Sequence, residues 1–466
     1  MKYQLIKLFI LALFPLISFS QTDITDVDAA YRSAPDDVNR YSDGGDTYSF
    51  AVGENGNDNL LFEDFFIPDP NSSGSLYFAI NSLADTIKLR RVDRDGDGII
   101  SERHIIFFEE ENNPSNGSAT YSQKPEYVAT MEEALKSRLI NRGSDNVFAN
   151  ANGTNINNIE RIDYIFENGI TVPTDTDEAG FIILERGGND DFRIAPITSL
   201  DTSNDPNGYG TVIAADASNW VDSSFSITAD VLNGFSQLTH TANLGSQPIA
   251  GMFFSFTDLG FTGGETVYGY SLAGGDTTTD STNFISFDND NHFPTDTEGG
   301  STLAGGLDLV AGGGVVERAF IHNSSGWIDD PSGVSDCDEL IVVTGGTAAL
   351  TSDTRIGKVT VDNGASIDAT PVSPDTENYN LDICKEVEAI SDFEATNINV
   401  NFIEHTSTAS IQQNLVSGEG RASIDSITVD NSSFGLLIEP ESELGIKDAL
   451  RLNNGTVTTN GNLVFE

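Results

Sequence analysis

The chain has 466 residues and carries 72 acidic against 23 basic side chains, a formal charge of −49. A surface this acidic repels phosphate backbones and anionic headgroups, which places nucleic acid last among partners and argues against adsorption to membranes. Disorder is also a poor fit: hydrophobic content is 38%, with 28 Phe and 12 Tyr, and acidic disordered chains are poor in aromatics.

Lys2 and Lys7 form a short basic region, residues 8–16 are apolar apart from Pro15, and Ser18-Phe19-Ser20 puts small residues where a signal peptidase reads them. Residues 1–20 therefore read as a cleaved secretory signal with Gln21 next. The apolar run is too short to span a bilayer, which takes about 20 residues. No Cys follows the cleavage point for lipid attachment, and no later stretch is long and apolar enough to be a transmembrane segment. The expected location is extracellular or on the outer cell surface.

Beyond the signal, short runs rich in Phe, Ile, Val and Tyr alternate with Gly, Asn, Asp and Ser clusters, at 47–52, 76–80, 86–92, 104–108, 181–185, 192–197, 252–256 and 266–270. Thr86-Ile87-Lys88-Leu89-Arg90 has the two-residue period of a half-buried strand. The pattern predicts a mostly β protein with β-sandwich-like modules at 21–172 and 173–320.

Between two of these runs lies Asp93-Arg94-Asp95-Gly96-Asp97-Gly98-Ile99-Ile100-Ser101-Glu102. Ca²⁺ is a hard cation that takes six to eight oxygens, and Asp at loop positions 1, 3 and 5 with Gly at 6 matches the first half of an EF-hand loop. The expected ligands are Asp93, Asp95, Asp97, the Ile99 carbonyl and Glu102. Position 12, normally a bidentate Glu, is His104, and the flanks read as strands, so the competing interpretation is an Asp-Gly hairpin turn.

One helix is expected among the strands. Thr130 and Glu133 form a capping box, Met131, Leu135, Leu139 and Ile140 share a helical face, and Arg142-Gly143 offers a C-terminal stop. Gly269-Tyr270-Ser271-Leu272-Ala273-Gly274 faintly resembles a nucleophile elbow, but Ala273 stands where the pattern needs Gly, so a strand end explains it better. The glycine-dense stretch 299–314 reads as a junction.

From 321 to 466 the character changes. Val359-Thr360-Val361-Asp362-Asn363 recurs as Ile427-Thr428-Val429-Asp430-Asn431, and short β runs turn at Asn454-Gly455 and Asn460-Gly461. These features predict a parallel β-helix or solenoid-like repeat region, truncated at its C-terminal end, with a hairpin sandwich as the alternative. The two cysteines, Cys337 and Cys384, should be bridged in an exported chain.

Several segments resemble large secreted, adhesin-like surface proteins of Bacteroidetes-type bacteria, the repeat proteins carried by type IX secretion. They are residues 138–148 (Arg138 to Phe148), 158–164 (Asn158 to Tyr164), 180–192 (Gly180 to Phe192), 293–297 (Phe293 to Thr297) and, in the tail, 356–365 (Ile356 to Ala365). The resemblance implies a surface role and no catalytic residues, and the sorting domain typical of such proteins is not visible.

The five histidines, His104, His240, His292, His322 and His405, share no metal-ligand spacing, and neither cysteine lies near one in sequence. A glycosidase-type carboxylate pair would meet only in the fold. The reading is thus a secreted, non-catalytic, calcium-stabilised surface adhesin or structural protein whose surface ligand the sequence does not name, a polysaccharide and another cell surface being the candidates. The second reading is the substrate-recognising part of an exported polysaccharide-acting enzyme; with only Trp220 and Trp327 present, aromatic platforms for it are few.

Overall fold

A computed structural model describes residues 24–32, 41–43, 46–48, 59–68, 75–93, 104–109, 131–150, 157–234, 238–294, 306–362, 364–369, 378–389, 392–404, 414–418, 420–440 and 442–465. The expected signal segment lies outside them. The chain is mostly β. In order it forms β1 (Asp26–Arg32), β2 (Tyr41–Asp43), β3 (Asp46–Tyr48), β4 (Asn59–Pro68), β5 (Ser75–Leu83), β6 (Thr86–Arg91), β7 (His104–Glu109), α1 (Met131–Leu135), β8 (Arg142–Ser144) and β9 (Ile159–Thr171). Then come β10 (Ala179–Arg186), β11 (Phe192–Leu200), β12 (Pro206–Tyr209), β13 (Ile213–Ala215), β14 (Val221–Gly234), β15 (Leu238–Ser255), β16 (Thr266–Gly274) and β17 (Leu309–Val310). The β runs read from residue 76 to 270 all fall on strands; of the run at 47–52, residues 47 and 48 lie in β3 and the rest lie outside the described residues.

The N-terminal body does not divide into two sandwiches. Antiparallel pairing runs β10–β15–β14–β7–β8–β17 and returns to β10, so these strands close a ring. Closure removes the unpaired edges that a pair of open sheets would leave. A smaller sheet, β12–β11–β16–β9–β6, packs on it, and both sheets draw strands from either side of residue 172. Along β10 the side chains alternate: Phe181 and Ile183 enter one core, facing Tyr164, Tyr270 and Leu272 of the small sheet, whereas Ile182 and Leu184 enter a second with Phe65, Phe78 and Phe253. All eight β10 residues are buried, as a strand covered on both faces requires.

Two expectations fail for identifiable reasons. The helix is five residues long rather than running to Ile140, and Arg142-Gly143 belongs to β8 instead of a helix stop. The segment after Leu135 is recruited by β4: Phe62 N–H donates to the Arg138 carbonyl at 2.9 Å, and Ile140 N–H donates to that of Leu60 at 2.8 Å. These inter-strand bonds outweigh local helix propensity, which is a weak prior. The glycine-rich stretch is no loose junction where it is described. Residues 306–317 are almost wholly buried, and a Cβ on Gly313 would sit 2.0 Å from the Tyr164 ring. Glycine here permits close packing and not flexibility.

Strand β18 (Gly314–Asn323) belongs to both halves of the chain. Its first part pairs antiparallel with β5 and β10; its last part, Ala319 to His322, pairs in parallel with Leu340–Val343. After β19 (Gly326–Trp327) come β20 (Leu340–Val343), β21 (Thr347–Ala349), β22 (Thr354–Val361), β23 (Ser366–Asp368), β24 (Asn380–Ala389), β25 (Phe393–Ile403), β26 (Asn414–Ser417), β27 (Arg421–Asp430), β28 (Leu436–Ile438), β29 (Glu443–Asn454), β30 (Val457–Thr458) and β31 (Leu463–Phe465). Every pairing among β20 to β31 is parallel. The even-numbered strands follow one another from β18 to β30, the odd-numbered ones from β21 to β31, and β24 also pairs β25.

This register stacks apolar side chains in three columns. Ile341, Val359, Val387, Val416 and Ile438 form the first; Ile367, Ala395, Ile424 and Ile446 the second; Ile356, Ile383, Phe402 and Val429 the third. Each of these residues is at most 3% exposed. Burying one such Ile, Val or Phe contributes about 1.5–3 kcal/mol. The Asn-Gly turns join strands that pair with the preceding rung and not with each other, so they are corners and not hairpins. The sequence echo is not the stacking period: Val359-Thr360-Val361 lies on the first column's strand, whereas Ile427-Thr428-Val429 belongs to the third column.

Candidate functional site

Where sequence reading placed calcium, Asp93 lies two residues past the end of β6, while Asp95, Asp97, Ile99 and Glu102 lie outside the described residues. Among the described residues no three His, Cys, Asp or Glu side chains are grouped to hold a metal. His322 is buried, its Nδ1 2.9 Å from the Gly345 carbonyl and its ring edge-on to Trp327 at 4.9 Å. His292 is half-buried; the side chains of His104, His240 and His405 lie outside what is described. Trp220 is buried with Nε1 donating to the Asp190 carbonyl at 2.8 Å, and Trp327 Nε1 donates to that of Ala349 at 2.8 Å. Ser271 is buried in the middle of β16, donating to Asp163 at 2.6 Å with Tyr209 Oη 3.2 Å away. That places it inside a sheet and not on a strand-to-helix elbow.

Asp163, on β9, organises the first of two buried polar clusters. It takes Arg161 Nε at 2.7 Å, Arg90 Nε at 2.6 Å and the Ser271 hydroxyl. Arg161 also donates to the Phe284 carbonyl at 2.6 Å and lies 5.2 Å from the Tyr209 and Phe287 ring centres. Burial pushes the Asp163 carboxyl up, but the two guanidiniums and the hydroxyl outweigh it and hold the group below the ordinary carboxylate range. Every partner is satisfied, which marks a structural tie between β6, β9 and β16.

The second cluster lies where residues 138–150, 157–164, 180–192 and Pro294 come together. Asn150 Nδ2 donates to both Glu160 oxygens at 3.1 Å and to the Pro294 carbonyl at 2.9 Å. Asn157 Nδ2 reaches Ser144 Oγ at 3.4 Å and the Asp145 carbonyl at 3.3 Å. Leu309 of β17 pairs with both Ser144 and Glu185, so β8 and the end of β10 meet across it. Asp308 accepts from Asn146 N–H at 3.0 Å and lies 3.4 Å from Arg186 Nη1. Burial, then the nearby Asp145 carboxylate, pushes Asp308 well up. Sequence reading missed this centre as a site. Nothing in the spacing of these residues along the chain says that they converge.

The disulfide Cys337–Cys384 forms as expected, with a Cα–Cα distance of 5.6 Å. It spans the middle strand of three, since Cys337 precedes β20, Cys384 lies in β24, and β22 runs between them. Around it, a chain short of cations concentrates four of them. Lys358 Nζ is 2.9 Å from Glu386, Glu388 and the Asn81 carbonyl. Arg138 meets Glu388 at 3.0 Å; Lys385 meets Glu317 and Asp338, each at 3.4 Å; Arg318 meets Glu339 at 3.1 Å and Glu178 at 3.4 Å. Residues of the N-terminal body and of the parallel strands alternate in this network, so it fastens one to the other.

Glu388 yields a prediction. Burial opposes its ionisation, yet Arg138 and Lys358 bring its pKa down to about 2. A depressed carboxylate stabilises the fold above its unfolded pKa, and that contribution is lost as pH falls from about 4.5 through about 2. Thermal melts across this range should show a steeper acid loss for the wild type than for Glu388→Gln. Equal slopes would remove Glu388 from the account.

Comparison of the chain with protein-family models, with curated proteins and with solved structures finds no match.

Proposed function

We propose that this chain is an exported, non-catalytic surface protein of adhesin-like or structural type, in which β-rich N-terminal modules are carried on a parallel β-helix stalk. The observation that carries the reading is the stack of three apolar columns over successive parallel strands, joined to the N-terminal body by β18. Such a stack grows by adding rungs and projects what sits at its end. Export is supported by residues 1–20, and a structural disulfide suits an oxidising exterior. The strongly acidic surface keeps the chain soluble and attracts divalent cations. The ligand class we assign is a cell-surface polysaccharide or another cell surface. The mature protein, added to bacterial cells and to their isolated polysaccharides, should bind without altering them. Release of reducing ends would refute the non-catalytic reading.

Calcium belongs to the same proposal. Asp93, Asp95, Asp97, the Ile99 carbonyl and Glu102 would bind it weakly, with Kd about 10⁻⁴ to 10⁻³ M as in extracellular modules. At a hundredfold excess over Kd such a site adds about 2.7 kcal/mol. The melting temperature should rise with calcium and fall with chelator, and Asp95→Ala with Asp97→Ala should abolish most of that dependence. If both variants keep the full calcium response, this loop is a turn and nothing more.

A further inference from the structure

Glu185 is the last residue but one of the buried strand β10 and is fully buried. Gly187 and Gly188 then turn the chain with φ of 125° and 62°, and Asn189 N–H donates back to Glu185 Oε2 at 2.9 Å. Among the described residues, Glu185 Oε1 meets no N–H or O–H. What Glu185 faces is the carboxyl of Asp190, itself 5% exposed and pressed so close to Gly306 that a Cβ there would lie 2.5 Å away. The other charged groups around the pair are Asp191 in the same turn, Asp308 before β17, Asp145 after β8 and Arg186 beside Glu185. Arg186 is hydrogen-bonded to Gln247, to the Gly245 carbonyl and to Asp308, and makes no hydrogen bond to Glu185. Two buried carboxylates in contact cannot both stay ionised without something between them.

We propose that Glu185 and Asp190 hold one proton between them, a built-in acid pair that makes the folding of the N-terminal body proton-dependent. Glu185 Oε1 carries the hydrogen and Asp190 accepts it, which satisfies the orphaned oxygen and leaves one negative charge on the pair. A divalent cation could answer the same need, but among the described residues no third acid is grouped with the pair closely enough to hold a metal, which favours the proton. Burial, the Asp190 contact and the Asp308 charge push Glu185 up to about 10. The sign follows from linkage. The folded state keeps a proton that the unfolded chain releases above about pH 4.5, so stability falls as pH rises from there to about 10.

The test uses the whole mature chain, wild type against Glu185→Gln, melted from about pH 6 to about pH 10. A glutamine keeps the acceptor for Asn189 and supplies an N–H to Asp190, so it replaces the acid with its proton permanently attached. The wild type should lose several degrees of melting temperature across the range, Glu185→Gln should lose less than half as much, and the variant should be the more stable of the two at the alkaline end. Infrared spectra of the wild type at neutral pH should show the carbonyl stretch of a buried protonated acid. Calcium added to chelator-treated wild type should give no shift that Glu185→Gln removes. Parallel pH slopes would overturn the proposal, and so would a missing acid band. A calcium-dependent rise abolished by Glu185→Gln would instead assign the position to a cation.

Discussion

Lys358→Met should destabilise the protein by about 3–5 kcal/mol, the cost of removing one partner from a buried ionic cluster. The Lys358 side chain is 3% exposed and its ammonium meets the carboxylates of Glu386 and Glu388 and the carbonyl of Asn81. Methionine fills the space but leaves two acids facing each other, with Arg138 as the cation on Glu388. The loss should be largely electrostatic, so the double variant Lys358→Met with Glu388→Gln should recover a substantial part of it. Denaturant midpoints of the single and double variants measure this. A Lys358→Met change below about 1 kcal/mol, the size expected of an exposed pair, would show that the cluster does not fasten the two halves.

The second large effect is expected at the disulfide. Cys337 and Cys384 are 47 residues apart, and the chain-entropy model gives about 4 kcal/mol for closing such a loop, an upper-end figure. Cys337→Ser with Cys384→Ser should lower stability by up to that amount, and peptide mapping without reductant should recover the two half-cystines linked. Gly357 gives an independent reading of the same geometry. It lies on β22 beneath the bridge, where a Cβ would stand 2.3 Å from the Cys337 carbonyl oxygen and 3.1 Å from that of Glu339. Both are backbone atoms, so Gly357→Val must displace β20 or β22. It should cost several kcal/mol in oxidised and reduced protein alike, as overpacking in a closed core does. Tolerance of valine there would contradict the strand arrangement itself.

Strand positions were legible in the sequence because dense apolar runs bounded by turn residues mark buried strands, as along β10. Topology was much less so. That β10 closes a ring through β17 depends on Glu185 and Arg186 meeting Leu309 and Asp308, more than a hundred residues away, and no local pattern encodes it. The parallel register was hinted at by Asn-Gly corners, yet the most visible repeat misled about its period, because Val359 and Ile427 belong to different columns. The helix was overextended because a capping box describes how a helix begins, whereas the Leu60 and Phe62 backbone decides where this one ends. Glycine at 312–314 looked like slack, yet Gly313 is pressed against the Tyr164 ring and Gly314 against the Ser82 carbonyl.

The buried centre around Glu185 was hidden for a related reason. In a chain with 72 acids, two carboxylates five positions apart carry no signal until a turn at Gly187-Gly188 folds one onto the other. The disulfide, by contrast, followed from counting: two cysteines leave one pairing.

The account turns on the chain working outside the cell as a displayed, non-catalytic surface protein. The most direct measurement is N-terminal and topological at once: intact producing cells are treated with a protease that cannot enter them, and the protein they release or display is identified by mass spectrometry. The account predicts a mature chain starting at Gln21 that is accessible on intact cells or found in the medium. A chain still carrying residues 1–20 and protected until the cells are broken would contradict it.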